Sequence, residues 1–181
     1  MNSSIDDYFP SQPVTSSSNF GETGLLVMPN ARMMEGGILK FHYSSSFPNE
    51  YTSIVASPFS WLEATYRYSE VENARYGPFH YSGNQSYKDK GFDLKVGILS
   101  ETAYFPQISL GIRDLVGTGL SSSEYIVASK RFGRLDTTLG VGWGVLGRGA
   151  NIRNPLSSIH DSFLYRNDSG GEQGGEFNAK D

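Results

Sequence analysis

The sequence contains no cysteine. That excludes a disulfide framework, thiolate zinc sites and a cysteine nucleophile. Charge is sparse, with Asp, Glu, Lys and Arg at 19% against a usual share of about 25%. The net charge of −4 offers no basic footprint for nucleic acid, which is not expected as a partner. Hydrophobic residues reach only 38%, and no apolar run approaches the roughly 20 residues of a membrane-spanning helix. The first residues, Met1-Asn2-Ser3-Ser4-Ile5-Asp6-Asp7, have neither the basic region nor the apolar core of an export signal. Helical periodicity is scarce, because Gly or Ser interrupts almost every window long enough for a helix.

What fills the chain is small and aromatic. There are 21 Gly, 25 Ser, 11 Tyr and 11 Phe in 181 residues. Disordered chains have few aromatics, so wholesale disorder is excluded. Two classes remain. One is a soluble all-β domain, and the other is a transmembrane β-barrel, whose hydropathy signal is weak.

Alternation marks the strands. In Leu39-Lys40-Phe41-His42-Tyr43 the odd positions are apolar. Leu62 to Ser69 sets Leu, Ala, Tyr and Tyr against Glu, Thr, Arg and Ser. Phe92 to Ile98 splits as cleanly, as do Gln107 to Arg113 and Leu135 to Val145. Two poorer runs lie at about 51–58 and 123–132. Together these predict about seven strands, several at the length of ~9–11 residues that suits a membrane crossing. The connections at Pro58-Phe59-Ser60, Ser100 to Phe105 and Phe132-Gly133-Arg134 are short. Those at Glu70 to Lys88, Val116 to Ser122 and after the last strand are long. Short turns at one end and long loops at the other form the bacterial outer-membrane pattern, with strand one starting on the periplasmic side.

The expected organisation is a polar arm over 1–20, carrying Pro10, Pro13 and Ser16-Ser17-Ser18, then a β-meander over 21–146. A long loop over 147–181 should lead on to a missing C-terminal part. Both ends read as those of a piece of a longer chain. Gly21 to Arg32 is expected to be ordered against the sheet, since Leu25, Leu26, Val27 and Met28 should not stay in water.

Gly142-Trp143-Gly144-Val145-Leu146-Gly147 has the G-x-G-x-x-G spacing of a dinucleotide loop, but no helix follows it. Gly140, Gly142 and Gly144 share one face of a long strand and should instead make room for a close neighbour. His42, His80 and His160 have no metal-site spacing. Glu63 and Asp93 could form a glycosidase pair, but Arg67 and Lys95 beside them suggest a mixed-charge wall. Asn84-Gln85-Ser86 and Asn167-Asp168-Ser169 are expected by chance at this Ser content. Tyr66, Tyr68, Phe92, Tyr104, Phe105, Tyr125 and Trp143 fit an aromatic girdle or cross-strand packing in a soluble sheet. In the first long loop, Tyr76, Phe79, Tyr81 and Tyr87 could stack on sugars or simply pack the loop.

Ser18-Asn19-Phe20-Gly21-Glu22-Thr23-Gly24-Leu25-Leu26, running on to Met28-Pro29-Asn30-Ala31-Arg32-Met33, resembles the opening of the YjbH/GfcD family of outer-membrane proteins. Phe59 to Tyr68 looks like that family's next block, and Tyr87 to Lys95 like its third. Leu110-Gly111-Ile112-Arg113-Asp114 with Gly117-Thr118-Gly119-Leu120 looks like the fourth. Ser122 to Tyr125, Ala128 to Phe132 and Leu139 to Gly144 complete a match over roughly 18–147. The resemblance implies an outer-membrane β-barrel linked to production or export of exopolysaccharide or capsule. Family members are longer than this chain and some are lipoproteins. That feature does not carry over to a sequence without Cys or signal, and the family offers no catalytic residues to transfer.

The expected fold is therefore all-β, an antiparallel up-and-down meander forming part of an outer-membrane β-barrel. The expected function is exopolysaccharide or capsule secretion from the bacterial outer membrane, through a polar passage or docking ring. The alternative is a soluble all-β carbohydrate-binding module. No enzymatic activity and no cofactor or metal is expected. The expected partners are polysaccharide, outer-membrane lipid and periplasmic polysaccharide export proteins. Glu63, Arg67, Asp93, Lys95 and Arg113 are the candidate lumen residues for contact with polysaccharide.

Overall fold

The structure is a computed structural model and describes residues 15–116, 119–147, 152–159 and 161–163. Two short strands, β1 (Gly24–Leu25) and β2 (Met28–Pro29), pair with each other. Seven longer ones follow: β3 (Ile38–Ser46), β4 (Asn49–Phe59), β5 (Leu62–Arg75), β6 (Ser86–Leu99), β7 (Gln107–Arg113), β8 (Ser123–Phe132) and β9 (Leu135–Gly144). They form one antiparallel sheet in sequence order, an up-and-down meander. One short helix, α1 (Phe79–Ser82), caps the β5–β6 hairpin, and 3₁₀ turns occupy Pro155–Ser158 and Asp161–Phe163. Within the described residues β3 and β9 each have one neighbour, so the sheet is open at both edges.

Period-two alternation puts successive side chains on opposite faces, and here the two faces are inverted relative to a soluble sheet. Leu39, Phe41, Ile54, Tyr66, Phe92, Leu110, Ile126, Leu139 and Val141 are exposed. The residues between them are buried: Ser53, Ser57, Glu63, Thr65, Arg67, Ser69, Asp93, Lys95, Ser109, Arg113 and Ser129. The apolar core is correspondingly small, built on Ala31, Tyr125 and Val127 with Leu146 against them. Arg67, Lys95, Glu22 and Glu63 are among the largest fully buried side chains. Charged side chains are almost never fully buried unless paired, so partners must be close. For Glu63 and Lys95 they come from residues 16–34, which run across the polar face, while Arg67 pairs with Asp93 of the neighbouring strand and Glu22 with Arg113.

Two connections differ from the sequence expectation. The first long loop, expected over 70–88, shrinks to residues 76–85, because β5 and β6 continue as a hairpin. Ser69 pairs with Asp89, the opposite charges Glu70 and Lys88 face each other, and Val71 pairs with Tyr87. Such cross-strand pairs extend a sheet where apolar alternation has ended. The β3–β4 connection is a two-residue turn, Phe47-Pro48, at the same end as the long loops. The length asymmetry is therefore incomplete, although the meander and its parity stand. The expected polar arm also ends earlier than residue 20. Ser17 bridges to Thr23, and the Gly24 N–H donates to Ser16 O at 2.9 Å.

Candidate functional site

The five candidate lumen residues all lie on the buried face, where residues 16–34 cover them. Glu63 and Lys95 are register partners on β5 and β6. Glu63 accepts from two backbone donors of the inner segment, Thr23 N–H on Oε2 at 3.0 Å and Met34 N–H on Oε1 at 2.7 Å. Lys95 Nζ donates to the carbonyls of Thr23 at 2.7 Å and Arg32 at 2.5 Å. One wall acid and one wall base thus grip the segment at both ends of its β1–β2 hairpin.

Arg113 on β7 holds Glu22. Its Nε donates to Glu22 Oε1 at 2.9 Å, and its Nη2 bonds the same oxygen. Tyr125 Oη donates to the other carboxylate oxygen at 3.1 Å. Gly111 makes this possible. A Cβ there would stand 2.1 Å from the Tyr125 ring, so no side chain could share the position. Arg67 and Asp93 form a completely buried ion pair at 3.4 Å. The Phe20 ring closes over this corner, 4.9 Å from the Arg67 guanidinium and 4.4 Å from that of Arg113. Asp93 also accepts the Asp114 N–H at 2.8 Å. Buried charges need such compensation, because leaving one unpaired is strongly destabilising.

Alternation over Leu135 to Val145 also put Asp136 on the polar face, but sequence reasoning did not single out the other members of this network. Arg32 spans the short-turn end, donating to both carboxylate oxygens of Asp136 at 3.0 and 2.6 Å, to Glu101 at 2.6 Å and to Gln107 at 3.0 Å. Ser129 Oγ accepts the Ala31 N–H at 2.9 Å, while Ser109 Oγ donates to Ala31 O at 2.8 Å. Ser53 Oγ donates to Phe20 O at 2.7 Å. The available signal was the serine repeated on inward-facing strand positions, where it serves the backbone of a crossing segment. Partial burial alone would push the Glu101 carboxyl up. Hydrogen bonds from the Arg131 N–H and Arg32 outweigh it and hold Glu101 below its ordinary range. At the long-loop end, burial pushes the Asp114 carboxyl up, and nearby Asp89 acts in the same direction.

The glycine motif that spans the end of β9 has a steric role. A Cβ on Gly142 would lie 2.9 Å from Leu146 Cβ, and one on Gly147 would lie 2.0 Å from Gly142 O. The chain folds back on itself there, and Leu146 joins the small core. No group of three or more His, Cys, Asp or Glu among the described residues is arranged to hold a metal. His160, Gly117 and Thr118 lie outside the described residues.

An inside-out sheet carrying a buried inner segment is the setting in which the comparisons bear on the chain. Residues 16–181 match the model of a family described as "Exopolysaccharide biosynthesis protein YbjH". The chain belongs to the YjbH family. It is 44% identical over 162 residues to the "Uncharacterized lipoprotein YjbH" of Escherichia coli strain K12. That match covers 89% of this chain but 23% of the relative, so the chain spans about a quarter of that protein's length. No solved structure matches. Within the YjbH family, the strings that carried the sequence resemblance now have physical roles. The opening block is the inner segment, and the later blocks are the wall that holds it.

Proposed function

We propose that this chain forms part of the wall of an outer-membrane β-barrel serving exopolysaccharide or capsule secretion, with residues 16–34 as a built-in inner plug. The inverted sheet carries this reading: buried charges on one face, exposed Leu, Ile, Phe and Val on the other. A lipid-facing wall needs that arrangement. The open edges support it, since in a bilayer unpaired strand edges are untenable and only a closed barrel satisfies them. Strands from the rest of a longer protein would close the ring. At the short-turn end, Phe59, Trp61, Tyr104, Phe105 and Phe132 are all exposed, and Phe59 stacks on Trp61 at 5.4 Å. That is the composition of an interfacial girdle. The lipid attachment stated for the Escherichia coli relative accords with a membrane location.

Glu63, Lys95 and Arg113 act in this reading first as seats for the plug, with Arg67 and Asp93 sealed under Phe20. Polysaccharide would touch them only if the segment withdrew, so this stretch of wall serves as a docking frame rather than an open passage. Periplasmic export proteins would meet the short-turn end. The reading includes no catalytic step. The test is extraction of the full-length protein from cells. It should fractionate with the outer membrane, require detergent, and migrate faster on gels before boiling than after. A protein monodisperse without detergent would instead be a soluble carbohydrate-binding module.

A further inference from the structure

The plug presents two side chains to one patch of wall. Residues 18–22 form a tight turn, closed by Ser18 N–H to Glu22 O at 2.8 Å and by Gly21 N–H to Ser18 O at 2.9 Å. Gly21 has a φ of 98°, and a Cβ there would stand 2.7 Å from Ser53 Cβ, so the turn lies close against β4. Glu22 brings a carboxylate to the wall. Arg113 Nε at 2.9 Å, Arg113 Nη2 and Tyr125 Oη at 3.1 Å hold it. Phe20 brings a flat six-membered ring. The guanidinium groups of Arg67 and Arg113 lie 4.9 and 4.4 Å from its centre, and the Tyr51 ring packs on it at 4.9 Å.

The wall offers more than the plug uses. Arg67 is completely buried, yet among the described residues none of its guanidinium nitrogens makes a hydrogen bond. Asp93 balances its charge at 3.4 Å without bonding to it. A guanidinium is a fork of donors with no acceptor, and a buried donor left unpaired needs a reason. Here an apolar ring stands against the fork. A ring edged with hydroxyls in the same slot would accept from it. The slot can be reached from the interior, since Phe20 and Tyr51 are only half-buried. The carboxylate seat belongs to the wall as well. Gly111 and Tyr125 are register partners on β7 and β8, and the bare Gly111 leaves room for the Tyr125 ring beside Arg113.

We propose that Phe20 and Glu22 stand in for an acidic sugar, a six-membered ring carrying a carboxylate, and that Arg67, Arg113, Tyr51 and Tyr125 form the wall's subsite for it. Arg113 and Tyr125 take the carboxylate, Tyr51 packs on the C–H face of the ring, and Arg67 donates to its hydroxyls. The tethered plug holds the seat at high effective concentration, and the polymer competes for it. This rests on the secretion reading and adds the substrate class, a uronate-bearing glycan.

The test uses full-length protein in detergent, with glucuronate as probe and glucose and acetate, at matched concentration and ionic strength, as comparisons. Glu22→Ala empties the carboxylate seat. Glucuronate should bind that variant about tenfold or more tighter than the parent protein and raise its thermal midpoint saturably. Glucose should do neither, and acetate should bind more weakly. Adding Arg113→Gln to Glu22→Ala removes both charges of the pair and should abolish the gain. If Glu22→Ala does not fold, Glu22→Gln carries the same comparison. Equal binding to folded variant and parent, no binding to the folded variant, or a gain that survives Arg113→Gln would overturn the proposal. So would acetate binding as well as glucuronate, since the seat would then hold a carboxylate with no place for the sugar ring. The secretion reading fails separately, as a parent protein that stays monodisperse without detergent, whatever the variants bind.

Discussion

Lys95 is buried between β5 and β7 with its ammonium on two carbonyls of the inner segment. A Lys95→Met substitution keeps the side-chain volume but strands Thr23 O and Arg32 O and leaves Glu63 without its register partner. Leaving a buried carbonyl without its donor costs on the order of 1–3 kcal/mol, and two are orphaned here. We expect a clear fall in the temperature at which folded protein converts to the unfolded band, with faster proteolysis between Leu25 and Met28. Lys40, half-buried with one bond to Ser17 at 2.8 Å, is the control. Lys40→Met should cost about 1 kcal/mol, and equal effects would refute the seating role. Acid sensitivity follows from Glu101. Its carboxyl is held below the ordinary value in the folded chain, so its contribution is present above the unfolded value, about 4.3, and is lost as pH falls through the lower folded one. Glu101→Gln should therefore destabilise the protein at neutral pH and flatten the loss of stability between neutrality and acid. A pH series of thermal midpoints that ran parallel for the two proteins would contradict this. Asp114 has the opposite sign, its carboxyl being raised, so its protonated form is favoured in the fold and stability falls as pH rises through that value.

The long strands are legible in the sequence because most of them carry their own period-two pattern. Leu62 to Ser69 and Phe92 to Ile98 announce both the strand and its two faces. What the sequence does not announce is what lies on the polar face. Thr23 meets Glu63 across 40 residues and Arg32 meets Asp136 across 104, and no local pattern encodes such distances. The charged wall was readable, but its occupant was readable only as an expectation that Leu25 to Met28 should find cover. That expectation holds for the segment's backbone and not for its tip, since Leu25, Leu26, Val27 and Met28 remain exposed. The extension of β5 was missed because Glu70 and Glu72 break the apolar rhythm while their strand continues. The outward face is probed at Leu94, with Leu94→Ala as the comparison for Leu94→Arg. An arginine at mid-bilayer costs ~2–4 kcal/mol, so Leu94→Arg should cut the folded fraction in membranes severely and Leu94→Ala slightly. Comparable folded fractions would mean that this face does not meet lipid.

For the molecule as a whole, the meander's parity fixes which loops share a side. Residues 76–85 leave β5, and four crossings, β6 to β9, separate them from the chain after Gly144. An even number of crossings returns the chain to the same end. The contacts agree with the count: Trp143 Nε1 donates to Ile152 O at 2.9 Å, and Asn154 Nδ2 donates to Glu124 at the start of β8 at 2.8 Å. The turns at Ser60 and Gly133 fall at the other end. In an outer-membrane barrel that separation becomes the separation between medium and periplasm. Asn84, Ser158 and Ser60 are exposed and lie on connections rather than strands, so cysteine at each should be accepted without loss of the fold. A membrane-impermeant thiol reagent on intact cells should label Asn84→Cys and Ser158→Cys and spare Ser60→Cys, which should react only after the outer membrane is permeabilised. Labelling of Ser60→Cys on intact cells together with the other two would show that no membrane divides the two ends. Labelling of Ser60→Cys alone would keep the barrel but turn it over, placing residues 76–85 and the chain after Gly144 in the periplasm.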